Sequence, residues 1–261
     1  MIIYSCITNA YDVISDDHYY DPDTRYVMFH DGTVEQKGPW EMVDLREYYT
    51  NECPVKMALY PKILPNRFFD FGEDTVWVDA CYTLTKNSVE VAKDCFPFTR
   101  LRHASRFTYY DEMLEGYLCE FFSYDDAIDA TKYYHSLGYD FKQYGNILCA
   151  AIWRTINEET IKFCEDWWRH YKDTNVRDQI AFDVSLQLNN INPKVIEDRN
   201  DCGIPMGAQN KSNRKKKRKK YGSSGQQVNR SMLLGEMRKY VGMHPFFYAK
   251  ANHDYMMGFN L

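Results

Sequence analysis

One carboxylate, Asp79, follows directly on a short run of strand-forming residues, 75–78, in the first third of the chain. The run lacks polar alternation, which is typical of a strand buried on both faces of a mostly parallel sheet. Ligands of open α/β sheets gather at the carboxyl ends of the strands, so this aspartate could bind a metal ion or a sugar-phosphate. An aspartate that only caps the next turn is the alternative.

Two earlier apolar runs, residues 2–7 and 26–29, also end in polar loops. The residues of these loops that could contact a nucleotide are Thr8, Asn9, Tyr11, Asp12 and Asp31. The repetition of a strand followed by an aspartate-bearing loop favours an α/β nucleotide-binding fold over an all-β fold. Further strands are predicted at residues 147–153 and 194–196.

Positive or titratable side chains concentrate in residues 96–109, which contain Arg100, Arg102, His103 and Arg106. Guanidinium groups bind phosphate through paired hydrogen bonds, so the cluster could clamp phosphates. A solvated loop is the alternative.

A second candidate carboxylate, Asp178, lies just before a helix predicted from residue 180. The helix dipole favours a carboxylate at that place, and a catalytic carboxylate is the other interpretation. The clearest helix is predicted at residues 155–171, where Thr155 and Glu158 have the spacing of a capping box. Shorter helices are predicted at residues 87–93 and 124–137.

The composition, with 44% hydrophobic residues and eight cysteines in 261 residues, predicts a large buried core. The cysteines form no CxxC pair, which predicts reduced, mostly buried thiols in a cytoplasmic protein. No apolar stretch approaches 18 residues, and the N-terminus is predicted to be a strand instead of a signal peptide. No membrane partner is therefore expected.

A dense basic run stands out late in a chain whose net charge is −5. Its seven consecutive members are Arg214, Lys215, Lys216, Lys217, Arg218, Lys219 and Lys220. Such a run predicts contact with DNA or another polyanion through residues 211–220, and a solvated loop or a localisation-like run is the alternative. Residues 198–230 are predicted to form a mobile loop, and residues 231–261 to fold back on the domain.

Several of these pieces occur in an order that resembles a known family. They are residues 8–12, 29–31, 62–65, 76–79, 146–148, 167–168 and 177–182, together with His103, Arg106 and Glu112. Over roughly residues 1–197 the series resembles the glycosyltransferase-like family of plant turgor-defect and mucilage proteins and their bacterial and phage relatives. The resemblance implies a GT-A-like domain, with a Rossmann-type mixed, mostly parallel sheet flanked by helices.

The resemblance also implies a nucleotide-sugar donor, most readily a UDP-sugar, and often Mn²⁺ or Mg²⁺. GT-A enzymes commonly place two carboxylates at the strand end, whereas this chain has Asp79-Ala80-Cys81 with one. Metal dependence is therefore an open question, with Asp79 and a late histidine, His253 or His244, as candidate ligands.

The site expected from all of this divides into three groups. Asp79 would hold the ribose or a metal, and Asp178 would act as general base or orient the donor sugar. Lys62, Arg102 or His103 would offset the charge of the leaving diphosphate. The donor would also contact Thr8, Asn9, Tyr11, Asp12 and Asp31.

The acceptor could be hydroxymethylated phage DNA, which the enzyme would reach by base flipping or through a groove. Three alternatives stay open: a glycosyltransferase for a surface or capsular glycan, a catalytically silent nucleic-acid-binding protein of the same fold, and a metal nuclease. The nuclease would use Asp12, Asp31 and Asp79, although nothing in their spacing gathers them around one metal.

Overall fold

The computed structural model of the chain describes residues 1–51, 53–145, 147–198, 200–205 and 224–241, with side chains in the last range from residue 232 onward. The chain divides into two compact units. Unit 1 comprises Met1–His103, Ile147–Trp168 and Ile191–Arg218. Unit 2 comprises Ala104–Asn146, Arg169–Asn190 and Lys219–Leu261.

Unit 1 is built on a seven-stranded sheet in the order β3-β2-β1-β4-β6-β5-β7. The strands are β1 Ile2–Ile7, β2 Arg25–His30, β3 Glu41–Asp44, β4 Asp74–Val78, β5 Phe98–Arg102, β6 Ile147–Thr155 and β7 Lys194–Ile196. β6 runs antiparallel to both of its neighbours, and all other pairings are parallel. The predicted α/β class with a mixed, mostly parallel sheet is confirmed.

Seven α-helices are described in the covered ranges. They are α1 Pro54–Ile63, α2 Lys86–Ala92, α3 Tyr109–Leu118, α4 Tyr124–Ser136, α5 Glu158–Thr174, α6 Asp178–Leu188 and α7 Ser224–Val241. The last of these begins inside residues 198–230, so part of the predicted loop is helical. The basic run itself lies outside the described residues.

The prediction that the helix now named α5 begins at Thr155 is wrong, because Thr155 is still paired within the sheet, with Asp74 of β4. The capping hydrogen bonds come from Asn157 and Thr160 instead. The Thr160 amide donates to Asn157 Oδ1 at 2.9 Å, and the Asn157 amide donates to Thr160 Oγ1 at 3.0 Å. This reciprocal pair satisfies two amides that the first turn of a helix leaves without partners.

The central strands of unit 1 are buried on both faces, as the apolar runs predict. Every residue of β1 is buried, and so are residues 75–78 of β4. Unit 2 has its own core, in which α7 contributes Leu233 and Met237, both fully buried. Five of the eight cysteines are buried, which agrees with the prediction for most of them. None of the helices in the described ranges has the length and apolar content needed to span a bilayer.

Candidate functional site

The carboxyl ends of β1, β2, β3 and β4 lie along one edge of the unit 1 sheet. Ile7 at the end of β1 pairs with His30, and His30 at the end of β2 pairs with Asp44. Trp77, one residue before the end of β4, pairs with Tyr4, three residues before the end of β1. The loops that follow these strands therefore emerge side by side, as predicted, and they carry most of the candidate donor-binding residues.

Asp79 stands at this edge with its side chain 37% exposed. Its backbone amide donates to Ala150 O at 2.8 Å, which anchors the residue to β6. Its Oδ1 accepts a hydrogen bond from the indole Nε1 of Trp77 at 2.8 Å and another from Lys62 Nζ at 3.3 Å. The carboxylate is thus fixed by an indole on its own strand and an ammonium from α1.

The loops after β1 and β2 are tied to each other. Asn9 and Ala10 both have positive φ, 54° and 46°. The Asn9 amide donates to Asp31 Oδ2 at 2.7 Å, and the Ala10 amide donates to Thr33 Oγ1 at 2.8 Å. A side-chain-bearing residue in this left-handed region costs on the order of 1 kcal/mol, and such strain concentrates at functional sites. Asp31 therefore holds the first loop in a strained conformation.

The other predicted donor contacts differ in how accessible they are. Thr8 is buried, and its hydroxyl donates to Pro54 O at 2.8 Å, which joins the loop to the start of α1. Asp12 is also buried. Tyr11, by contrast, is 40% exposed. Of these residues, Tyr11 is the one whose ring could stack on a nucleobase.

Sequence reasoning missed an ion pair at the end of β3. Asp44 accepts hydrogen bonds from Arg46 Nε at 2.9 Å and Nη2 at 2.5 Å. These bonds lower the pKa of the Asp44 carboxyl from its ordinary 3.8 to about 2. The guanidinium also lies over Gly32, where an added Cβ would come within 2.9 Å of Arg46 Nη2. A glycine is needed at that position, which has φ +86°.

The Asp44–Arg46 pair predicts a small pH-dependent contribution to stability. A carboxyl with a lowered folded-state pKa stabilises the fold above its unfolded pKa, and that contribution disappears as the pH falls from about 4 to about 2. Asp44→Asn should therefore reduce the free energy of unfolding at pH 7 by at most about 1 kcal/mol, because water screens an exposed pair. Urea denaturation between pH 7 and pH 2 should show this difference shrink toward zero, while Asp70→Asn at an exposed position shows none. A difference that stays constant with pH would contradict it.

The arginines of the basic cluster predicted to clamp phosphates each contact a different residue in the structure. Arg100 lies buried inside β5 and donates to Leu101 O at 3.4 Å. Arg102 pairs with Glu197 at 2.9 Å, and the partly exposed His103 follows it at the end of unit 1. Arg106 belongs to unit 2 and binds Glu112. Arg102 is the last residue of β5 and His103 follows it at the carboxyl edge, whereas Arg100 is buried within the strand.

Unit 2 carries a buried charge cluster next to the second candidate carboxylate. Glu112 has a fully buried side chain, and both its oxygens accept from Arg106 Nη1 at 3.0 Å. Arg177 Nε donates to Glu112 Oε1 at 2.7 Å, and its guanidinium lies over the Phe121 ring at 5.0 Å. Burial alone would lower the pKa of Arg177, but the carboxylates of Glu112 and Asp178 raise it. Asp178 is the first residue of α6, directly after this arginine.

The described residues around Asp79 do not fit a divalent cation. Within the described ranges, no three His, Cys, Asp or Glu side chains form a group that could hold a metal ion. The ammonium of Lys62, 3.3 Å from the Asp79 oxygen, also opposes a second positive charge at that place. The other proposed ligands, His253 and His244, lie outside the described residues.

Two cavities in unit 1 differ in size and place. One of about 10 Å³ is bordered by Asp79, Ser5 and His18, and such a volume holds about one water molecule. Another of about 290 Å³ is bordered by Tyr20, Arg25 and Glu41, near the amino ends of β2 and β3. Neither of these two cavities combines room for a nucleotide sugar with a place at the carboxyl edge.

Comparison of the chain with protein-family models gives no match, and neither does comparison with curated proteins.

Proposed function

We propose that the chain is a GT-A-like glycosyltransferase that moves a sugar from a nucleotide sugar, most readily a UDP-sugar, to an acceptor hydroxyl. The observation that supports this most strongly is the partly exposed Asp79 at the end of β4. It lies at the same sheet edge as the loops after β1 and β2, which are hydrogen-bonded to each other. In open α/β sheets this edge is where ligands bind.

Each group at the edge has a proposed task. Tyr11 stacks on the nucleobase, and the Asn9 loop, held by Asp31, lines the ribose. Asp79 accepts hydrogen bonds from the ribose hydroxyls. Lys62, helped by Arg102 and His103, offsets the negative charge that develops on the diphosphate as it leaves.

The role of Asp178 as the general base that takes the proton of the acceptor hydroxyl stays a prediction from the sequence. Arg177, the residue directly before Asp178, is held by its ion pair with the buried Glu112. We propose DNA carrying hydroxymethylated bases as the acceptor, on the strength of the basic run Arg214–Lys220, and the cytoplasm as the place of action.

A thermal-shift screen of nucleotide sugars tests the donor assignment. A ligand present at about 100 times its Kd adds about 2.7 kcal/mol of stability, which raises the Tm of a chain of this size by about 5 °C. We expect one nucleotide sugar to give such a shift and to be hydrolysed slowly without acceptor. No shift with any nucleotide sugar would contradict the proposal.

Deletion of residues 211–220 tests the acceptor assignment. The full chain should retain duplex DNA, and its affinity should fall at least about tenfold between low and physiological salt as phosphate counterions are exchanged. Filter-binding measurements should show that the deletion removes this retention while donor hydrolysis stays unchanged. Equal, salt-dependent retention by both chains would refute a role of the basic run.

A further inference from the structure

The larger cavity of unit 1 lies at the opposite edge of the sheet from the candidate donor site. Its volume is about 290 Å³, and the polar residues that border it include Tyr20, Asp21, Arg25 and Glu41. This volume is close to the lower end of the range of small-molecule sites, roughly 300–1,000 Å³. Arg25 begins β2 and His30 ends it, so the length of that strand, roughly 17 Å at about 3.3 Å per residue, separates the cavity from the carboxyl edge.

The charged groups that border this cavity are held by other groups of the protein. Arg25 Nε and Nη2 donate to the two oxygens of Glu41 at 2.8 Å and 3.0 Å, and both side chains are about half exposed. Thr24 Oγ1 donates to Asp21 Oδ2 at 2.8 Å, and the Asp21 amide donates to the Tyr26 hydroxyl at 2.7 Å. Groups that are already held lose little conformational entropy when a ligand binds, which favours affinity.

The apolar part of the border consists of the Tyr20 ring and two prolines, Pro22 and Pro39. The Tyr20 hydroxyl accepts a hydrogen bond from the indole Nε1 of Trp40 at 2.9 Å, which fixes the ring and leaves the hydroxyl proton to be donated. The hydroxyl also lies close to Gly38, where an added Cβ would come within 2.7 Å of its oxygen. A ring with a polar tip suits a ligand that combines C–H surface with hydroxyl groups.

The charged side chains keep hydrogen-bonding capacity of both kinds. Glu41 takes two of the five N–H donors of the Arg25 guanidinium, and a carboxylate can accept about four hydrogen bonds. A phosphate here would face the carboxylates of Asp21 and Glu41, and an organic cation would face Arg25, so each would meet a like charge. A hydroxyl both donates and accepts, so a neutral ligand rich in hydroxyls can use all three side chains without that conflict.

We propose that this cavity binds a neutral saccharide, with the Tyr20 ring against the C–H face of a sugar and with Asp21, Arg25 and Glu41 hydrogen-bonded to its hydroxyls. The site is a binding site alone, in which no bond is made or broken. It lies apart from the carboxyl edge of the sheet, so the inference does not depend on the proposed transfer reaction.

Saturation-transfer difference NMR of the full chain with glucose, galactose, mannose and N-acetylglucosamine tests this. We expect at least one of these sugars to bind with a Kd of about 1 mM, as is usual for a ligand of so few atoms. Glu41→Ala should weaken that binding about tenfold, because it removes a charged acceptor and releases the guanidinium. The variant should fold, since an exposed ion pair contributes little to stability.

Glu165→Ala is the matched control in the same unit. Glu165 also forms a half-exposed ion pair with an arginine, Arg67, at 2.6 Å, but it does not border the cavity. This variant should bind the sugar with the wild-type Kd. An equal Kd in Glu41→Ala and the wild type, or equal weakening in both variants, would overturn the inference.

The place of binding and the class of ligand are tested on the wild-type chain. Hydrogen–deuterium exchange with the bound sugar should slow in residues 20–26 and 38–41 and stay unchanged in residues 8–13. Failure of all four sugars to bind would overturn the inference. Displacement of the sugar by UDP would also do so, because it would assign the sugar to the carboxyl edge, and displacement by tetramethylammonium would make the cavity a cation site. The transferase proposal is decided separately, by the thermal-shift screen of nucleotide sugars.

Discussion

Replacing Glu112 with alanine is expected to lower the free energy of unfolding by about 3–5 kcal/mol, because it leaves two arginines without their shared buried carboxylate. Arg106 and Arg177 together donate three hydrogen bonds to this side chain, which has no exposed surface. Natural domains are stable by only about 5–15 kcal/mol, so much of the fold's stability would be lost. Urea denaturation followed by circular dichroism measures the effect.

Glu115→Ala provides the matched control on the same helix. Its carboxylate is partly exposed and lies 3.8 Å from Arg106 Nη2, a distance at which an ion pair contributes less than about 1 kcal/mol. We therefore expect a difference of at least about 2 kcal/mol between the two variants. Equal losses would show that the arginines do not depend on the buried carboxylate.

Asp79→Asn is expected to reduce the kcat/KM for nucleotide-sugar hydrolysis or transfer by about 100-fold or more, a loss typical of removing one preorganised charged group. An amide oxygen can still accept from Trp77, so the local structure should survive. The negative charge that faces Lys62 would be gone, and an NH₂ donor would replace one of the two oxygens proposed to accept from the ribose hydroxyls. Steady-state kinetics with the nucleotide sugar identified by thermal shift gives the measurement.

Asp70→Asn is the control for this substitution, because Asp70 is exposed in the loop before β4. Asp70 lies before the amino end of β4, away from Asp79, and a surface substitution there should change stability by no more than about 0.5 kcal/mol. The variant should therefore fold as the wild type does and keep kcat/KM within about twofold of the wild-type value. If Asp79→Asn kept activity to the same degree while folding normally, Asp79 would have no part in the reaction.

The sheet was predictable from sequence where apolar runs mark its strands. Residues 2–7, 26–29, 75–78 and 147–153 are almost entirely apolar or β-branched, and each run lies in a strand of the structure. The strand Phe98–Arg102 was missed although four of its five residues are buried, because two arginines interrupt its apolar pattern. The strand Glu41–Asp44 was missed because its residues are partly exposed and bounded by charge, so no apolar run marks it. The start of α5 was misplaced because Thr155 and Asn157 are both good caps, and pairing with β4 decides between them.

The candidate site was predictable only in part, for a different reason. The position of Asp79 follows from the strand that precedes it. Its contact with Lys62 joins residues 17 positions apart, and the contact of Arg154 with Lys62 O joins residues 92 apart. No local pattern encodes such contacts, since they depend on how α1 and β6 pack beside β4.

Hydrogen–deuterium exchange of the full chain, with and without the nucleotide sugar that raises Tm most, tests most directly whether the donor binds at the carboxyl edge. We predict slower exchange of amides in residues 8–13, 31–33 and 79–83, and unchanged exchange in residues 20–26 and 38–41 around the 290 Å³ cavity. Protection confined to residues 20–26 and 38–41, with residues 8–13 and 79–83 unchanged, would contradict the account.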